Sequence, residues 1–461
     1  MTHRAGLHWL IAGIFLNATT LAAGASVLRS PFPVARPGDT PQTLEIARAA
    51  VSPDRSDLRA FAPARSLHPA ARPRGIGSRA AQSTTRATAP TGAYGRWLSG
   101  FRGRALSEGI SARVFDRTFA DVIPNREVLQ NERSQPEFSR PIWAYLDSAV
   151  SDSRIRDGQR MLREHRRILD EIETRYNVDR EVVVAIWGME SAYGRLRGRT
   201  EIIPALTALA MESRRSRFYE QQLIGALQIL QAGDVGLHQM TGSWAGAMGH
   251  TQFIPTSYLA YAVDFRGDGR RDIWSDDPTD SLASTAAYLA RHGWQRGQPW
   301  GVEVRIPRGF NPRLANTSRD VREWLSLGVV AQRGQSLPSS GEATLMFPAG
   351  SQGPALLTFR NFQVIKRYNN ADAYAIGVGH LADRLRGAGG FVASWPRDDR
   401  PLSRSEREEL QRLLARAGLY RGEIDGRVGS GTLSAVRDWQ AANGLPPDGY
   451  VSLALLQRMR R

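Results

Sequence analysis

The chain of 461 residues contains no cysteine. This absence excludes a disulfide framework, a thiolate zinc site, a cysteine nucleophile and a lipid-modified N-terminal cysteine. At about 100 to 200 residues per domain, the chain has room for two or three domains, whose apolar cores are large enough to need no covalent cross-links. Any fold for this sequence is therefore stabilised without disulfide bonds.

The charge of the chain is strongly positive. Lys and Arg number 61 against 45 Asp and Glu, the formal net charge is +16, and Lys366 is the only lysine. Such a charge favours a polyanionic partner, which could be a nucleic acid, a lipid surface or an acidic cell-wall polymer. No recognition helix or RNP-type motif is present in the sequence, so we expect no nucleic-acid partner.

The first 25 residues have the pattern of a secretory signal peptide. Arg4 precedes an apolar run at 9–16, and small residues at 23–25 provide a cleavage site after about Ala25. A single membrane anchor is the alternative, but polar residues interrupt the apolar run well short of the ~20 residues that span a bilayer. We therefore expect an exported, periplasmic protein that keeps no stable membrane anchor after cleavage.

Residues 26–95 are rich in Pro, Ala and Arg and show no helical or strand periodicity. Such a segment buries too little apolar surface to offset the entropy of ordering it, so the sequence predicts a disordered linker. It is either a solvated spacer or an electrostatic tether to an anionic polymer.

From 96 to 395 the pattern is mostly helical, with helices predicted over 163–176 and 281–292. Between them lies EVVVAIWGMESAYG, at 181–194. Asp179 is a candidate N-cap of this helix and Gly194 a candidate end. Its predicted apolar stripe consists of Val182, Ile186 and Met189.

Glu190 interrupts this otherwise apolar helix. Its neighbours one turn away are Ile186 and Trp187 on one side and Tyr193 and Gly194 on the other. Burial among apolar groups disfavours the ionised form of a carboxyl and raises its pKa, as a general acid near neutral pH requires. The alternative is a glutamate at a helix end that reaches solvent.

Two further segments combine aromatic, amide and glycine residues. The first is GSWAGAMGHTQFIPTSY at 242–258, and the second is RYNNADAY at 367–374. Glycines permit close backbone approach, and aromatic faces with a few amide groups suit a sugar-binding groove. Taken singly, each segment is also compatible with ordinary packing or turn chemistry.

Together these segments resemble the lytic murein transglycosylases of the membrane-bound lytic transglycosylase B type. The resemblance covers residues 96–395 and rests on four ordered blocks: ESAYG at 190–194, the 242–258 block, AAYLARHGW at 286–294 and VIKRYNNADAYAIGVGHLADRL at 364–385. It implies a mainly α (α+β) chain with a lysozyme-like catalytic domain.

The resemblance also implies roles for individual residues. Glu190 would be the catalytic acid. The basic pair Arg214 and Arg215 would face the peptide stems. The remaining candidate substrate-binding residues lie beside the scissile sugars or line the cleft: Ser243, Met248, Gln252, Phe253, Tyr368, Asn369 and Tyr374.

The number of carboxylates bears on the reaction. Ordinary glycosidases use two carboxylates, one as acid and one as nucleophile or water-activating base, whereas the blocks around Glu190 offer no second acidic residue with that role. One suffices if Glu190 protonates the glycosidic oxygen of a MurNAc–GlcNAc bond and then takes the proton of the C6 hydroxyl, which yields a 1,6-anhydro-MurNAc end and requires no cofactor. A muramidase-type hydrolase on the same fold and a catalytically inactive cell-wall-binding protein remain alternatives. Peptidoglycan strands are the expected partner, and cell-wall synthesis or division proteins are further candidates.

The segment 264–275 resembles an EF-hand calcium loop. Arg266 stands where an oxygen ligand is expected, and Ser275 replaces the final bidentate glutamate. A structural calcium site and a metal-free turn are both compatible with this sequence. The candidate calcium ligands are Asp264, Asp268 and Asp272.

Residues 400–461 read as a separate small module. A capping box formed by Ser403 and Glu406 opens a first helix, and Asp-Gly turns follow at 425–426 and 448–449. The segment resembles the three-helix peptidoglycan-binding-like domain, although a purely structural cap is the alternative. The first helix is predicted to turn Leu410, Leu413 and Leu414 inward, and the second to carry Leu433, Val436 and Trp439 on one face.

Overall fold

A computed structural model describes residues 92–133 and 141–461. The predicted signal peptide, and the predicted linker up to residue 91, lie outside the described residues. The first helix begins at Gly92, four residues before the predicted start of the catalytic domain. The rings of Trp97 and Phe101, one turn apart in this helix, stack with centroids 4.9 Å apart, and Phe101 is fully buried. This packing fixes the helix on the domain.

Helices dominate the described part of the chain, as predicted. None of the described helices combines the length and apolarity needed to cross a bilayer. The helices and strands are α1 Gly92–Ser107, α2 Ala112–Thr118, α3 Glu127–Arg133, α4 Ile142–Ala149, α5 Asp152–Glu164, α6 Arg166–Tyr176, α7 Arg180–Ser191, β1 Thr200–Glu201, α8 Ile202–Glu212, α9 Ser216–Ala232, β2 Thr241–Gly242, α10 Pro255–Tyr261, α11 Thr279–Arg291, β3 Gly301–Arg305, β4 Ser318–Asp320, α12 Val321–Ser326, β5 Val330–Ala331, β6 Glu342–Met346, β7 Ala355–Thr358, α13 Arg360–Tyr368, α14 Asp372–Leu385, α15 Arg404–Arg416, α16 Ser430–Ala442 and α17 Leu453–Met459.

Helix α7 lies at the centre of the largest core. Every residue from 182 to 188 is buried, and α5, α6, α11 and α14 pack around the helix. The predicted apolar stripe was therefore too narrow, because a helix that is apolar on all sides is buried on all sides. Its central position holds the Glu190 backbone rigidly.

One predicted helix and one predicted cap differ from the structure. The helix predicted over 163–176 is interrupted at His165, which separates α5 from α6. Asp179 occupies the N-cap position of α7 but makes no capping hydrogen bond. Its carboxylate instead accepts a hydrogen bond from Trp294 Nε1 at 2.8 Å and pairs with Arg386 at 3.1 Å. The Arg386 guanidinium and the Trp294 indole N–H therefore bind the Asp179 carboxylate in place of the backbone N–H groups of the helix.

An antiparallel sheet that the sequence analysis did not predict follows the helical region. Its strand order is β4-β6-β7-β3-β5. Burial alternates along β6, where Ala343 and Leu345 are buried, whereas three successive residues of β3, 302–304, are buried. The apolar residues of both strands pack in one cluster with Trp324 of α12. This sheet builds a second core beside the main one.

Helices α15, α16 and α17 form the predicted three-helix module. The capping box of Ser403 and Glu406 is present at the start of α15. Leu413 and Trp439 are half-buried and pack against the core of the module, as predicted, whereas Leu433 is half-buried and is not part of that core cluster. The residues that α16 buries are Thr432, Ala435, Val436 and Gln440.

Two glutamines hold the two Asp-Gly turns of this module in the same way. Gln411 Nε2 donates to Asp425 Oδ1 at 3.1 Å, and Gly426 N donates to Gln411 Oε1 at 2.8 Å. Gln440 makes the equivalent bonds to the turn at 448–449, at 2.7 and 2.8 Å. The module is thus built from two copies of one helix–turn unit.

The second copy is joined to the residues of the sheet region. The backbone N–H of Ser351, in the loop between β6 and β7, donates to Asp448 Oδ2 at 2.7 Å. Arg313 pairs with Asp438 of α16 at 2.6 Å. These bonds connect the module directly to the catalytic region.

Candidate active site

Glu190 lies in the last turn of α7 with its side chain half-buried. The hydroxyl of Tyr374, on α14, donates to Glu190 Oε1 at 2.6 Å. Burial raises the pKa of Glu190 from 4.5 to about 7, while the Tyr374 hydrogen bond opposes this rise because it favours the ionised form. A carboxyl with a pKa near 7 can both give and accept a proton at neutral pH.

Tyrosines make up the electrostatic surroundings of Glu190. Burial, and then the charge of Glu190, raise the pKa values of Tyr145, Tyr368 and Tyr374. The Tyr368 hydroxyl donates to the carbonyl of Thr251 at 2.6 Å. Among the described residues, no second carboxylate contributes to the pKa of Glu190. The Glu190 carboxyl therefore lies among the phenol groups of three tyrosines.

Tyr145 was not among the predicted site residues, because it belongs to α4 and lies outside the four family-like blocks. Gly377 of α14 allows its close approach, because a methyl group there would lie only 3.2 Å from the Tyr145 ring. The available signal was an aromatic residue on a short apolar helix, and that pattern is equally typical of core packing.

The turn after Glu190 is left-handed over three consecutive residues, 192–194. Ser191 Oγ accepts a hydrogen bond from Gly194 N at 2.9 Å and donates to the carbonyl of His250 at 2.5 Å. A Cβ on Gly194 would lie 2.5 Å from His250 Nδ1, so glycine is required there by both backbone and contact. The turn is thereby fixed to the 242–258 loop.

His250 is a second residue that the sequence analysis missed. Its Nδ1 accepts a hydrogen bond from Trp187 Nε1 at 3.1 Å, so in the neutral ring Nε2 carries the proton and donates to the carbonyl of Ser275 at 2.8 Å. Burial lowers the pKa of His250, which favours this neutral form. His250 thus links α7 to the two loops that follow it in the sequence.

The predicted substrate-binding residues of the 242–258 loop are buried. Ser243 Oγ accepts a hydrogen bond from Ala247 N at 3.0 Å, and Met248 N donates to Phe253 O at 2.9 Å. Met248 is fully buried, and the Phe253 ring packs 5.9 Å from that of Tyr368. The side chains of Met248 and Phe253 therefore pack in the core and hold the loop in place.

Gln252 has a left-handed backbone, with φ of 56°. Its Nε2 donates to the carbonyls of Arg197 at 3.0 Å and Gly249 at 2.8 Å. Its Oε1 is buried and has no hydrogen-bond partner among the described residues. Asn369, just after α13, is also buried, and its Oδ1 accepts from Ala371 N at 3.1 Å.

Arg214 and Arg215 lie immediately before α9. The Arg214 side chain is exposed, whereas the Arg215 guanidinium lies 4.3 Å from the centroid of the Phe218 ring. The structure thus groups Tyr368 and Tyr374 around Glu190 and places the arginine pair at the start of another helix.

The carboxylates of the EF-hand-like loop accept hydrogen bonds from backbone N–H groups of the same loop. Asp264 accepts hydrogen bonds from the backbone N–H groups of 267–269, at 2.6 to 3.1 Å. Asp268 accepts from Arg270 N, and Asp272 accepts from the N–H groups of 274–275. These hydrogen bonds hold the loop in a closed turn, and the calcium site at Asp264, Asp268 and Asp272 stays a prediction.

Arg266 points out of the loop and pairs with Glu171 at 2.7 Å. In the described ranges, oxygens of three acidic residues approach within 4.8 Å of one another only at Glu173, Asp179 and Glu181. That group is neutralised by arginines, with Arg296 3.3 Å from Glu173 and Arg386 near the other two. It is an ionic network that ties α6, α7 and α14 together.

Two families match the chain. The family described as "Transglycosylase SLT domain" matches residues 93–383, and the one described as "Putative peptidoglycan binding domain" matches 403–459. The chain therefore belongs to the SLT-domain transglycosylases and carries a C-terminal peptidoglycan-binding domain. The resemblance drawn from the motifs is confirmed.

Individual relatives agree with this assignment. Membrane-bound lytic murein transglycosylase B of Escherichia coli K12 is 31% identical over 248 residues, which are 52% of this chain and 66% of that protein, just under two thirds of its length. SltB3 of Pseudomonas aeruginosa, solved in complex with NAG-anhNAM-pentapeptide, is 51% identical with a TM-score of 0.76 and covers 80% of this chain and 99% of its own. Slt35 of E. coli, solved in complex with calcium, is 27% identical with a TM-score of 0.54 and covers 63% of this chain and 92% of its own.

Proposed function

We propose that this protein is a lytic transglycosylase that cleaves the MurNAc–GlcNAc bond of peptidoglycan and leaves 1,6-anhydro-MurNAc ends. The observation that carries the proposal is a single carboxyl with a pKa of about 7, surrounded by tyrosines. The anhNAM group in the ligand named for SltB3 supports the same product.

The proposed reaction uses Glu190 twice. The protonated carboxyl gives its proton to the glycosidic oxygen as the bond from C1 of MurNAc to that oxygen breaks. The ionised carboxylate then takes the proton of the C6 hydroxyl as its oxygen bonds to C1. Glu190 ends protonated, no water is consumed, and these proton transfers need no cofactor.

The Tyr374 hydrogen bond assigns different roles to the two carboxyl oxygens. Because Oε1 accepts from Tyr374 at 2.6 Å, the proton that is transferred resides on Oε2. The same bond stabilises the carboxylate formed after the first step. Tyr374 thus orients Glu190 and keeps its pKa from rising further.

The single carboxyl also favours this reaction over hydrolysis. A hydrolase of the usual kind places a second carboxylate about 5 to 9.5 Å away, as nucleophile or as the base that activates water. The raised pKa of Glu190 has two causes, burial and the opposing Tyr374 hydrogen bond, and neither is a second carboxylate.

We further propose that the protein acts in the periplasm after export. The predicted signal peptide and the net charge of +16 support export and retention on an acidic wall polymer. The C-terminal peptidoglycan-binding domain would raise the local concentration of substrate at the cleft, as a second linked site does.

Mass spectrometry of the muropeptides released from purified sacculi tests this function. We expect the wild type to release anhydro-muropeptides and Glu190→Gln to release none while still binding sacculi. Glu108→Gln, at an exposed glutamate in the turn after α1, is the matched control and should behave as the wild type.

Two outcomes would overturn the proposal. Products heavier by one water, about 18 Da, would identify a hydrolase. Wild-type rates in Glu190→Gln would remove Glu190 from the chemistry.

A further inference from the structure

A cavity of about 580 Å³ lies beside the turn that follows Glu190. The segment 194–199 forms much of its wall, and Thr241, Gly249 and Trp274 form other parts. Three arginines line it, Arg195, Arg197 and Arg199, and none of its lining residues is acidic. We call this cavity the Arg199 pocket.

The wall of the Arg199 pocket is fixed by its neighbours. The Arg197 guanidinium donates to the carbonyl of Trp274 at 2.9 Å and to Asp276 at 2.6 Å, and its backbone carbonyl accepts from Gln252. A Cβ on Gly198 would lie 2.1 Å from the carbonyl oxygen of Gly242, so the segment packs directly on the backbone of β2. The pocket is therefore preformed.

The three arginines of the pocket differ in their partners. Arg195 pairs with Asp157 at 2.8 Å and Arg197 with Asp276. Arg199 is exposed and makes no hydrogen bond or ion pair with any residue the structure describes. Its guanidinium is available to an anion that enters the pocket.

We infer that the Arg199 pocket binds a carboxylate of the peptide stem on the strand being cleaved. A guanidinium binds a carboxylate through two parallel hydrogen bonds, so this ligand matches the free group. Gly194, at the edge of the pocket, lies four residues after Glu190, which a chain spans in at most about 14 Å. A stem in the pocket and a bond at Glu190 can thus belong to the same repeating unit. The inference rests on the proposed function.

The test compares two substrates with one variant. The substrates are glycan strands that carry peptide stems and the same strands stripped of stems by an amidase. We expect Arg199→Ala to lower the ratio of kcat/KM on stem-bearing to stem-free glycan about threefold to fivefold, as the loss of an exposed ion pair predicts. The effect should lie in KM, shrink with added salt and be partly restored in Arg199→Lys.

Arg308→Ala is the matched control, because Arg308 is exposed in the loop after β3 and its loss changes the net charge equally. It should keep the wild-type ratio. An unchanged ratio in Arg199→Ala, or an equal loss on both substrates, would overturn the inference. Failure of the proposed function is recognised separately, because it appears as water-containing products from the wild type.

Discussion

The pKa of Glu190 links the stability of the fold to pH. Burial raises it from 4.5 to about 7, so the folded protein keeps this proton through a pH range in which the unfolded chain has released it. The free energy of unfolding therefore falls as pH rises from about 4.5 to 7. A pKa difference of this size corresponds to about 3 kcal/mol above pH 7.

Glu190→Gln removes the titrating group but keeps an oxygen that can accept the Tyr374 hydrogen bond. We expect the variant to be about as stable as the wild type near pH 4. At pH 8 it should be more stable by about 3 kcal/mol, because it carries no buried charge.

Urea unfolding followed by tryptophan fluorescence, repeated at intervals from pH 4 to pH 8, measures this difference. The other ionisable groups contribute equally to both proteins, so the difference between the two curves isolates Glu190. Glu108→Gln should follow the wild type throughout. A difference that is independent of pH, or that grows toward acid pH, would refute the argument from burial.

Three further predictions follow from the site. Tyr374→Phe removes a bond that favours ionised Glu190, so the alkaline fall of kcat/KM, near pH 7 in the wild type, should move to higher pH; a move to lower pH would contradict this role. Gly194→Ala should abolish activity and lower the free energy of unfolding by about 1 to 3 kcal/mol more than Gly233→Ala. Gly233 has the same left-handed backbone but no atom within 4 Å of the added methyl group. Equal losses of stability in the two variants on chemical denaturation would show that the His250 contact does not contribute. Millimolar calcium should leave the Tm unchanged because Asp264 is bonded to its own loop, and a rise of several degrees would show that the loop rearranges around the ion.

The sequence was most informative where local pattern and burial coincide. The apolar neighbours of Glu190 predicted a helix, and α7 is that helix. The capping box of Ser403 predicted the start of α15 correctly. The Asp-Gly turns likewise marked the two copies in the C-terminal module.

Contacts between distant segments were less accessible. Tyr145 lies near enough to Glu190 for the carboxylate to raise its pKa, and its ring packs beside Gly377 of α14, an approach that no local pattern encodes. His250 was hidden within a glycine-rich block, since its role depends on Trp187, 63 residues earlier. The five-stranded sheet was missed because its strands are only two to five residues long, too short for alternation to stand out against helical sequence.

The two Asp-Gly turns of the C-terminal module differ in their hydrogen-bond partners. The copy at 448–449 is bonded through Asp448 to Ser351, whereas the copy at 425–426 makes its side-chain bonds within the module. Besides this bond and the Arg313–Asp438 pair, Arg397 pairs with Asp147 of α4 at 2.7 Å in the segment that leads into α15. The module therefore contacts the catalytic region at several points along its length, so a glycan strand bound to it would be held beside the region that carries Glu190.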